Sequence, residues 1–297
     1  MTALIVTAVA AWISAASAPE PRTEVAAAVV GGEIAVVGGL STDGAPSSRV
    51  DAYSPKLDSW RRLPDLPVGV HHALVASDGA RLYVVGGYGG PTLGAGDRLR
   101  SAFVLDRGVW HALPRLPEPR AAGGAAVVGG RLYVVGGVAA SGLARRAFAL
   151  DLRTRRWTIV PAPTPREHLA VTATGGKIYA LGGRRAGYDT NVATFEVWTP
   201  GTLRWRRLAP VPGPRGGTGA AVAAGSIVSV GGEAPSGTIA SVYAYGLAEG
   251  RWRRLPDLPT PRHGLGVVGV GARVYAVAGG PIPGLTVSGA NEYLDLR

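Results

Sequence analysis

Residues 121–151 read AAGGAAVVGGRLYVVGGVAASGLARRAFALD. An apolar run, Ala121 to Val128, meets Gly129-Gly130, the composition of a tight hairpin turn. A second run, Arg131 to Val135, ends at Gly136-Gly137. A variable loop leads to Ala147-Phe148-Ala149-Leu150-Asp151, and a short turn to a segment holding Trp157. Short runs parted by glycine joints, with no helical period, predict four strands.

The pattern recurs along the whole chain. Diglycines closing an apolar run stand at Gly38-Gly39, Gly86-Gly87, Gly136-Gly137, Gly182-Gly183, Gly231-Gly232 and Gly279-Gly280, spaced 48, 50, 46, 49 and 48. Trp12, Trp60, Trp110, Trp157, Trp205 and Trp252 keep nearly the same period. A Pro-Arg follows each Trp by nine or ten residues at Arg22, Arg120, Arg166, Arg215 and Arg262, while the second unit has Gly69-Val70 there. Two markers sharing one period define six units, roughly 19–66, 67–116, 117–163, 164–211, 212–258 and 259–297 plus 1–18. A four-stranded sheet of this size cannot bury its own faces. Six of them packed around an axis can, so the expected fold is an all-β six-bladed β-propeller of four-stranded antiparallel blades, one unit over 1–297.

Composition agrees. The 297 residues include 45 Gly and 23 Pro, too many for long helices. With 46% hydrophobic and 17% charged residues the chain is not intrinsically disordered. The absence of cysteine excludes disulfides, thiolate metal sites and a Cys nucleophile. The net charge is +11, and Lys56 and Lys177 are the only lysines, so the cations are almost all Arg. Arg binds carboxylate and phosphate in a bidentate manner, so this balance favours an anionic partner.

These residues resemble the kelch repeat family, whose members form β-propellers. The likeness rests on the diglycines, the fourth-strand Trp series and third-strand aromatics at Tyr53, Phe103, Phe148, Tyr243 and Tyr293, with Phe195 or Trp198 in the fourth unit. The sixth unit stops at Arg297, before its own Trp strand is due, and Trp12 supplies the missing strand from the other end. The amino-terminal strand is therefore expected to complete the last blade. That favours retention of residues 1–18 and a cytoplasmic location. The alternative is export, with MTALIVTAVAAWISAASA as a signal peptide, although no Lys or Arg precedes its apolar run. No segment is long enough for a transmembrane helix. A monomer is expected.

Function in this architecture lies on loops at one end of the channel. One loop class carries the five Pro-Arg residues. The other follows each diglycine, at Leu40, Tyr88, Val138, Arg184, Glu233 and Pro281. By the kelch resemblance, these two classes supply the pocket for an acidic peptide. The expected ligand-binding residues are Arg22, Arg120, Arg166, Arg215, Arg262, His72, His168, His263, Tyr88, Arg184 and Glu233. Two readings of the Arg series stand: a ring facing an acidic peptide or anionic glycan, or a structural series binding backbone carbonyls and neighbouring blades.

His71, His72, His168 and His263 follow the Arg position by one or two residues, which invites a metal reading. Strand alternation would point those two positions opposite ways, and Glu167 is the acid identified on that rung, so no metal and no cofactor are expected. No nucleophile elbow, zinc-protease or P-loop motif is present. A non-catalytic protein- or carbohydrate-binding scaffold is the leading reading. A sialic-acid-type epimerase or mutarotase using Glu167 or Glu233 beside an Arg is the alternative. The Arg pairs flanking the Trp series, such as Arg61-Arg62 and Arg253-Arg254, are expected to protect edge strands rather than bind nucleic acid.

Overall fold

The computed structural model describes residues 11–90 and 97–297. Within them six four-stranded antiparallel sheets form six blades. Blade 1 runs from hub to rim as Ala26–Val30, Glu33–Val37, Val50–Ser54 and Ser59–Arg62. Blade 2 holds Leu74–Ser77, Leu82–Val85, Ala102–Asp106 and Val109–Ala112; blade 3 holds Gly124–Val128, Arg131–Val135, Ala147–Asp151 and Arg156–Val160. Blade 4 holds Ala170–Thr174, Lys177–Leu181, Phe195–Trp198 and Arg206–Arg207; blade 5 holds Gly219–Ala223, Ser226–Val230, Val242–Gly246 and Arg251–Leu255. Blade 6 takes Gly266–Val270, Arg273–Val277 and Asn291–Asp295 from the carboxyl end and Trp12–Ala15 from the amino end. Each innermost strand touches two others, closing a ring around the channel. Those strands are mostly Ala, Val and Gly, with Leu74 and Ser77 in blade 2 and Thr172 and Thr174 in blade 4, because six of them converge on the axis, where little volume is left for side chains.

The tryptophans fill the wide end of each wedge and link it to the previous one. Trp60 Nε1 donates to Ala16 O at 2.7 Å, Trp110 to Pro64 O at 2.9 Å, and Trp157 to Pro114 O at 2.8 Å. Trp205 donates to Pro161 O, Trp252 to Ala209 O and Trp12 to Pro256 O, which closes the circle. The amino-terminal strand pairs as expected, with Trp12 opposite Leu294 and Ala15 opposite Asn291. Residues 1–10 of the signal-peptide reading lie outside the described residues, but the Trp12–Ala15 part of that stretch is blade 6's rim strand. Among the described residues no helix is long and apolar enough to cross a membrane. The paired arginines Arg61-Arg62 and Arg253-Arg254 sit exposed on the rim strands, where charge blocks edge-to-edge pairing.

The third-strand aromatics lie on their expected strands, and one diglycine assignment changes. The third-strand residue opposite the rim Trp is Tyr53, Leu105, Leu150, Tyr245 and Leu294 in blades 1, 2, 3, 5 and 6. Phe103, Phe148 and Tyr243 lie two places earlier, and Tyr293 one, because pairing and not residue type sets register. The sixth diglycine position is Ala278-Gly279, not Gly279-Gly280. Ala278 has φ 55° and Gly279 has φ 99°, matching 60° and 99° at Gly38 and Gly39. The residue after the pair in blade 6 is therefore Gly280, which bridges to His263, and not Pro281.

Ala278 holds the first place of the pair in blade 6, but the second residue is glycine in all six blades. That glycine's N–H donates to the Arg-position carbonyl of the next blade, as Gly39 N does to Val70 O at 2.8 Å and Gly87 N to Arg120 O at 2.8 Å. A Cβ on Gly39 would stand 2.5 Å from Thr23 O and 2.6 Å from Val25 Cγ1, at φ 99°. Gly39→Ala is expected to cost about 3 kcal/mol through clash and backbone strain. Ala278→Gly, at the first position of the pair, should stay within about 1 kcal/mol. Denaturant midpoints of the two variants check this contrast.

Candidate ligand site at the channel mouth

The five Pro-Arg side chains are 0–1% exposed. Arg22 donates to Gly38 O at 2.7 Å and Arg49 O at 2.9 Å, and pairs with Asp51 at 2.7 Å. Arg120 donates to Gly136 O and Arg146 O, both at 2.9 Å. Arg166 and Arg262 pair with Glu196 at 2.6 Å and Glu292 at 2.8 Å. Arg215 donates to Ser241 O at 2.9 Å. The partner sits at the second residue of the third strand. It is a carboxylate in blades 1, 4 and 6 (Asp51, Glu196, Glu292) and an aromatic in blades 3 and 5. Phe148 and Tyr243 lie under Arg120 and Arg215, 5.4 and 5.3 Å from ring centre to guanidinium carbon. Burial lowers the pKa of all five, and most clearly in the two aromatic cases, where Arg120 and Arg215 fall to about 10. In blade 2 Val70 replaces the Arg, and Phe103 holds the partner position. The ring of five arginines facing a ligand is thus corrected: the series is internal and binds the blades' own carbonyls.

The next two residues of each loop build the mouth. The first bridges to the residue after the diglycine: Thr23 to Leu40, His71 to Tyr88, Ala121 to Val138, Glu167 to Arg184, Gly216 to Glu233, and His263 to Gly280. The second residues are Glu24, His72, Ala122, His168, Gly217 and Gly264, all left-handed with φ of 51–64°. Their backbones form a belt. His72 N donates to Glu24 O (3.0 Å), Ala122 N to His72 O (3.1 Å), and His168 N to Ala122 O (2.8 Å). Gly217 N donates to His168 O (3.0 Å), Gly264 N to Gly217 O (3.1 Å), and Val25 N to Gly264 O (3.1 Å). The left-handed turn costs about 1–2 kcal/mol at each non-glycine position, and the belt holds it in place.

Side chains repeat the circle. Glu24 Oε2 meets His72 Nε2 at 2.9 Å, and His72 Nε2 lies 2.9 Å from His168 Nε2. Arg184 Nη2 meets His168 Nε2 at 2.9 Å, and its Nη1 pairs with Glu233 Oε1 at 2.6 Å. Glu233 Oε2 faces His263 Nδ1 at 3.5 Å, and His263 Nδ1 returns to Glu24 Oε1 at 3.1 Å. Ala122, the small residue of blade 3, leaves the space across which His72 reaches His168.

The partners assign the protons. His168 Nε2 faces a guanidinium, a pure donor, so it presents its lone pair and carries its proton on Nδ1, 3.5 Å from Glu167 Oε1. His72 Nε2 then holds the proton shared toward Glu24 and His168, and its Nδ1 accepts from His71 Nδ1 at 2.6 Å. His263 faces acceptors on both sides, Glu24 and Ile282 O, which favours the imidazolium. Burial alone would lower the His263 pKa, yet Glu24 and Glu233 outweigh it and raise it. Burial would likewise raise Glu24, but His72 and His263 hold its carboxyl well below the usual range. Burial, followed by the neighbouring His72, pushes His71 down to about 4.

Tyr88 packs its ring on His71 and His72 at 5.2 and 5.6 Å between centres. Arg184 stacks on Tyr188 at 5.0 Å, with Glu167 also bound at 3.2 Å. The structure thus brings together His72, His168, His263, Tyr88, Arg184, Glu167 and Glu233, and leaves the five buried arginines outside. Glu24 was missed. It stands two residues after Arg22, as His72 stands after Val70 and His168 after Arg166, and that register was the available signal. Behind Glu24, His72 and His168 the channel holds an open cavity of about 140 Å³, and a second of about 280 Å³ follows along the innermost strands. Small-molecule pockets are commonly about 300–1,000 Å³, so the cavity beside these three side chains is sized for waters or an ion. A carboxylate does lie against an Arg, as an epimerase would need. Burial acts to raise the Glu167 carboxyl, yet His168 and Arg184 hold it below its usual value, opposite to a general acid.

The outer rim differs in charge. Arg98, Arg145 and Arg185 are exposed on the post-diglycine loops of blades 2, 3 and 4. Among the described residues no carboxylate lies within 4 Å of their guanidiniums, whereas neighbouring Arg146 pairs with Glu118 at 3.0 Å.

Comparison with known proteins places the chain. Residues 71–280 match the family model described as the KLHDC2/KLHL20/DRC7 Kelch-repeats domain, and residues 21–67 match the Kelch motif. Kelch-like protein terF of Aspergillus terreus is 31% identical over 240 residues, 75% of this chain and 52% of that protein. Kelch-like protein 38 of Homo sapiens is 27% identical over 180 residues, 59% of this chain and 30% of that protein. The chain thus spans about half the length of the first relative and less of the second.

Proposed function

The chain belongs to the kelch-repeat family, and from that premise we propose that this propeller is a non-catalytic binding scaffold whose mouth loops receive an acidic peptide segment of a partner protein. The observation that carries the reading is the trio Arg98, Arg145 and Arg185: exposed, without a carboxylate partner among the described residues, and on the same loop of three consecutive blades. Inner-ring cations are already committed to Glu24, Glu167 and Glu233, so recognition falls to the rim. The net charge of +11 steers an acidic ligand toward the molecule. Exposed ion pairs give about 0.2–1 kcal/mol each, so the expected interaction is weak and sensitive to salt.

Fluorescence anisotropy with labelled polyglutamate at low salt tests it. Binding should weaken about tenfold or more in the triple variant Arg98→Glu/Arg145→Glu/Arg185→Glu, and also on adding salt. If neither polyglutamate nor a sialylated glycan binds the intact chain at low salt, the reading is lost. Binding of the glycan alone would replace the peptide with a carbohydrate ligand.

A further inference from the structure

We infer that Glu24, His72 and His168 form a binding site for one divalent first-row transition ion of the zinc class, where the channel meets its mouth. One oxygen and two nitrogens from these side chains lie within 4.8 Å of one another, and two of the three separations are 2.9 Å. Zinc–nitrogen and zinc–oxygen bonds of about 2.0–2.1 Å in a tetrahedral arrangement need donors about 3.3 Å apart, a spread of a few tenths of an ångström from those two contacts. Two imidazoles and one carboxylate suit Zn²⁺, Co²⁺ or Ni²⁺ and not Ca²⁺ or Mg²⁺, which take oxygen.

Four further features bear on the site. A single proton on His72 Nε2 now serves both a carboxylate oxygen and a second imidazole nitrogen, and a cation in its place would satisfy all three donors. Of the other ring nitrogens, His72 Nδ1 is backed by His71 Nδ1 at 2.6 Å, as ligating histidines usually are, while His168 Nδ1 is buried 3.5 Å from Glu167 Oε1 without a hydrogen bond. The three residues hold the same left-handed belt position in three blades, with φ of 51–53°, so their backbones are fixed by the fold. The channel space of about 140 Å³ they face leaves room for remaining water ligands.

Binding has two local consequences. Arg184 Nη2, 2.9 Å from His168 Nε2, must withdraw, while the arginine keeps Glu233 and Glu167. The His72 proton moves from Nε2 to Nδ1. The His71–His72 contact then reverses, and His71, whose Nε2 is now buried without a partner, carries its proton there. No net proton is gained or lost.

The test uses the full chain without a histidine tag, stripped with chelator. Calorimetric titration with Zn²⁺ and visible absorption with Co²⁺ should each give one ion per chain. His72→Ala and His168→Ala should each weaken binding about tenfold or more. Ala122 occupies the same belt position in blade 3, so alanine is compatible with it. Glu24→Gln, which keeps the side chain's size, should weaken binding in the same sense if an alanine variant does not fold. Nitrogen shifts of His71 and His72 should report the tautomer exchange. Absence of stoichiometric binding, or binding unchanged in these variants, overturns the site. The rim variant Arg98→Glu/Arg145→Glu/Arg185→Glu should bind the ion as the parent does, so the outcome is independent of peptide recognition.

Discussion

Deleting residues 1–16 is expected to lower the unfolding free energy by about 5 kcal/mol or more, enough to exhaust the stability of a marginal domain. The deletion removes the four-residue pairing from Trp12 opposite Leu294 to Ala15 opposite Asn291. It strips the acceptor of Trp60 and of Asn291, both bound to Ala16 O, and the donor Trp12 Nε1 on Pro256. One short segment thus ties blade 6 to blades 1 and 5, and its loss opens the circle at two interfaces. It also bares Asn291–Asp295 as an unprotected edge. The single change Trp12→Ala should cost about 2–3 kcal/mol, because the indole is only half-buried. Denaturant unfolding measures both, and a peptide of residues 11–18 added in trans should recover stability by strand addition. An unchanged midpoint in the truncated chain would show that the ring closes without this strand.

Arg166→Val is expected to cost about 3–5 kcal/mol, since it leaves Glu196 buried without its partner. It also removes the donors to Gly182 O, Thr164 O and Ala180 O. The double variant Arg166→Val/Glu196→Phe places in blade 4 the residue types blade 2 carries at Val70 and Phe103. It removes the orphaned carboxylate, so a coupling energy of about 2 kcal/mol or more is expected from the double-mutant cycle. The rest of the cost should remain with the three carbonyls and with Thr164, whose N–H and Oγ1 lose Glu196 as acceptor, at about 1 kcal/mol each. A single-variant cost under about 1 kcal/mol would contradict the structural role assigned to the whole Arg series.

The position of that series shows why half of the site was misjudged from sequence. A Pro-Arg at regular spacing is equally compatible with a guanidinium pointing into the mouth and one folded back into its own blade. The deciding partners are Asp51, Glu196 and Glu292, about 30 residues further on, and their meaning depends on strand register. Register also sets what the third-strand aromatics meet. Phe148 and Tyr243 are not partners of the rim Trp but the apolar seats of Arg120 and Arg215. The expectation of no metal was drawn without one residue. Alternation correctly separated His71 and His263 from His72 and His168, but Glu24 was not counted on the second rung.

The sequence by itself determined the number of blades, their four strands, the glycine joints and the closure by Trp12, because each follows from spacing within one repeat or from a repeat left incomplete. Only the tertiary structure decided what meets across blades. Glu24, His72 and His168 lie 48 and 96 residues apart along the chain. They converge because a ring of wedges turns equal positions in the repeat into neighbours around one axis, and because Ala122 is small enough to let His72 and His168 span the blade between them.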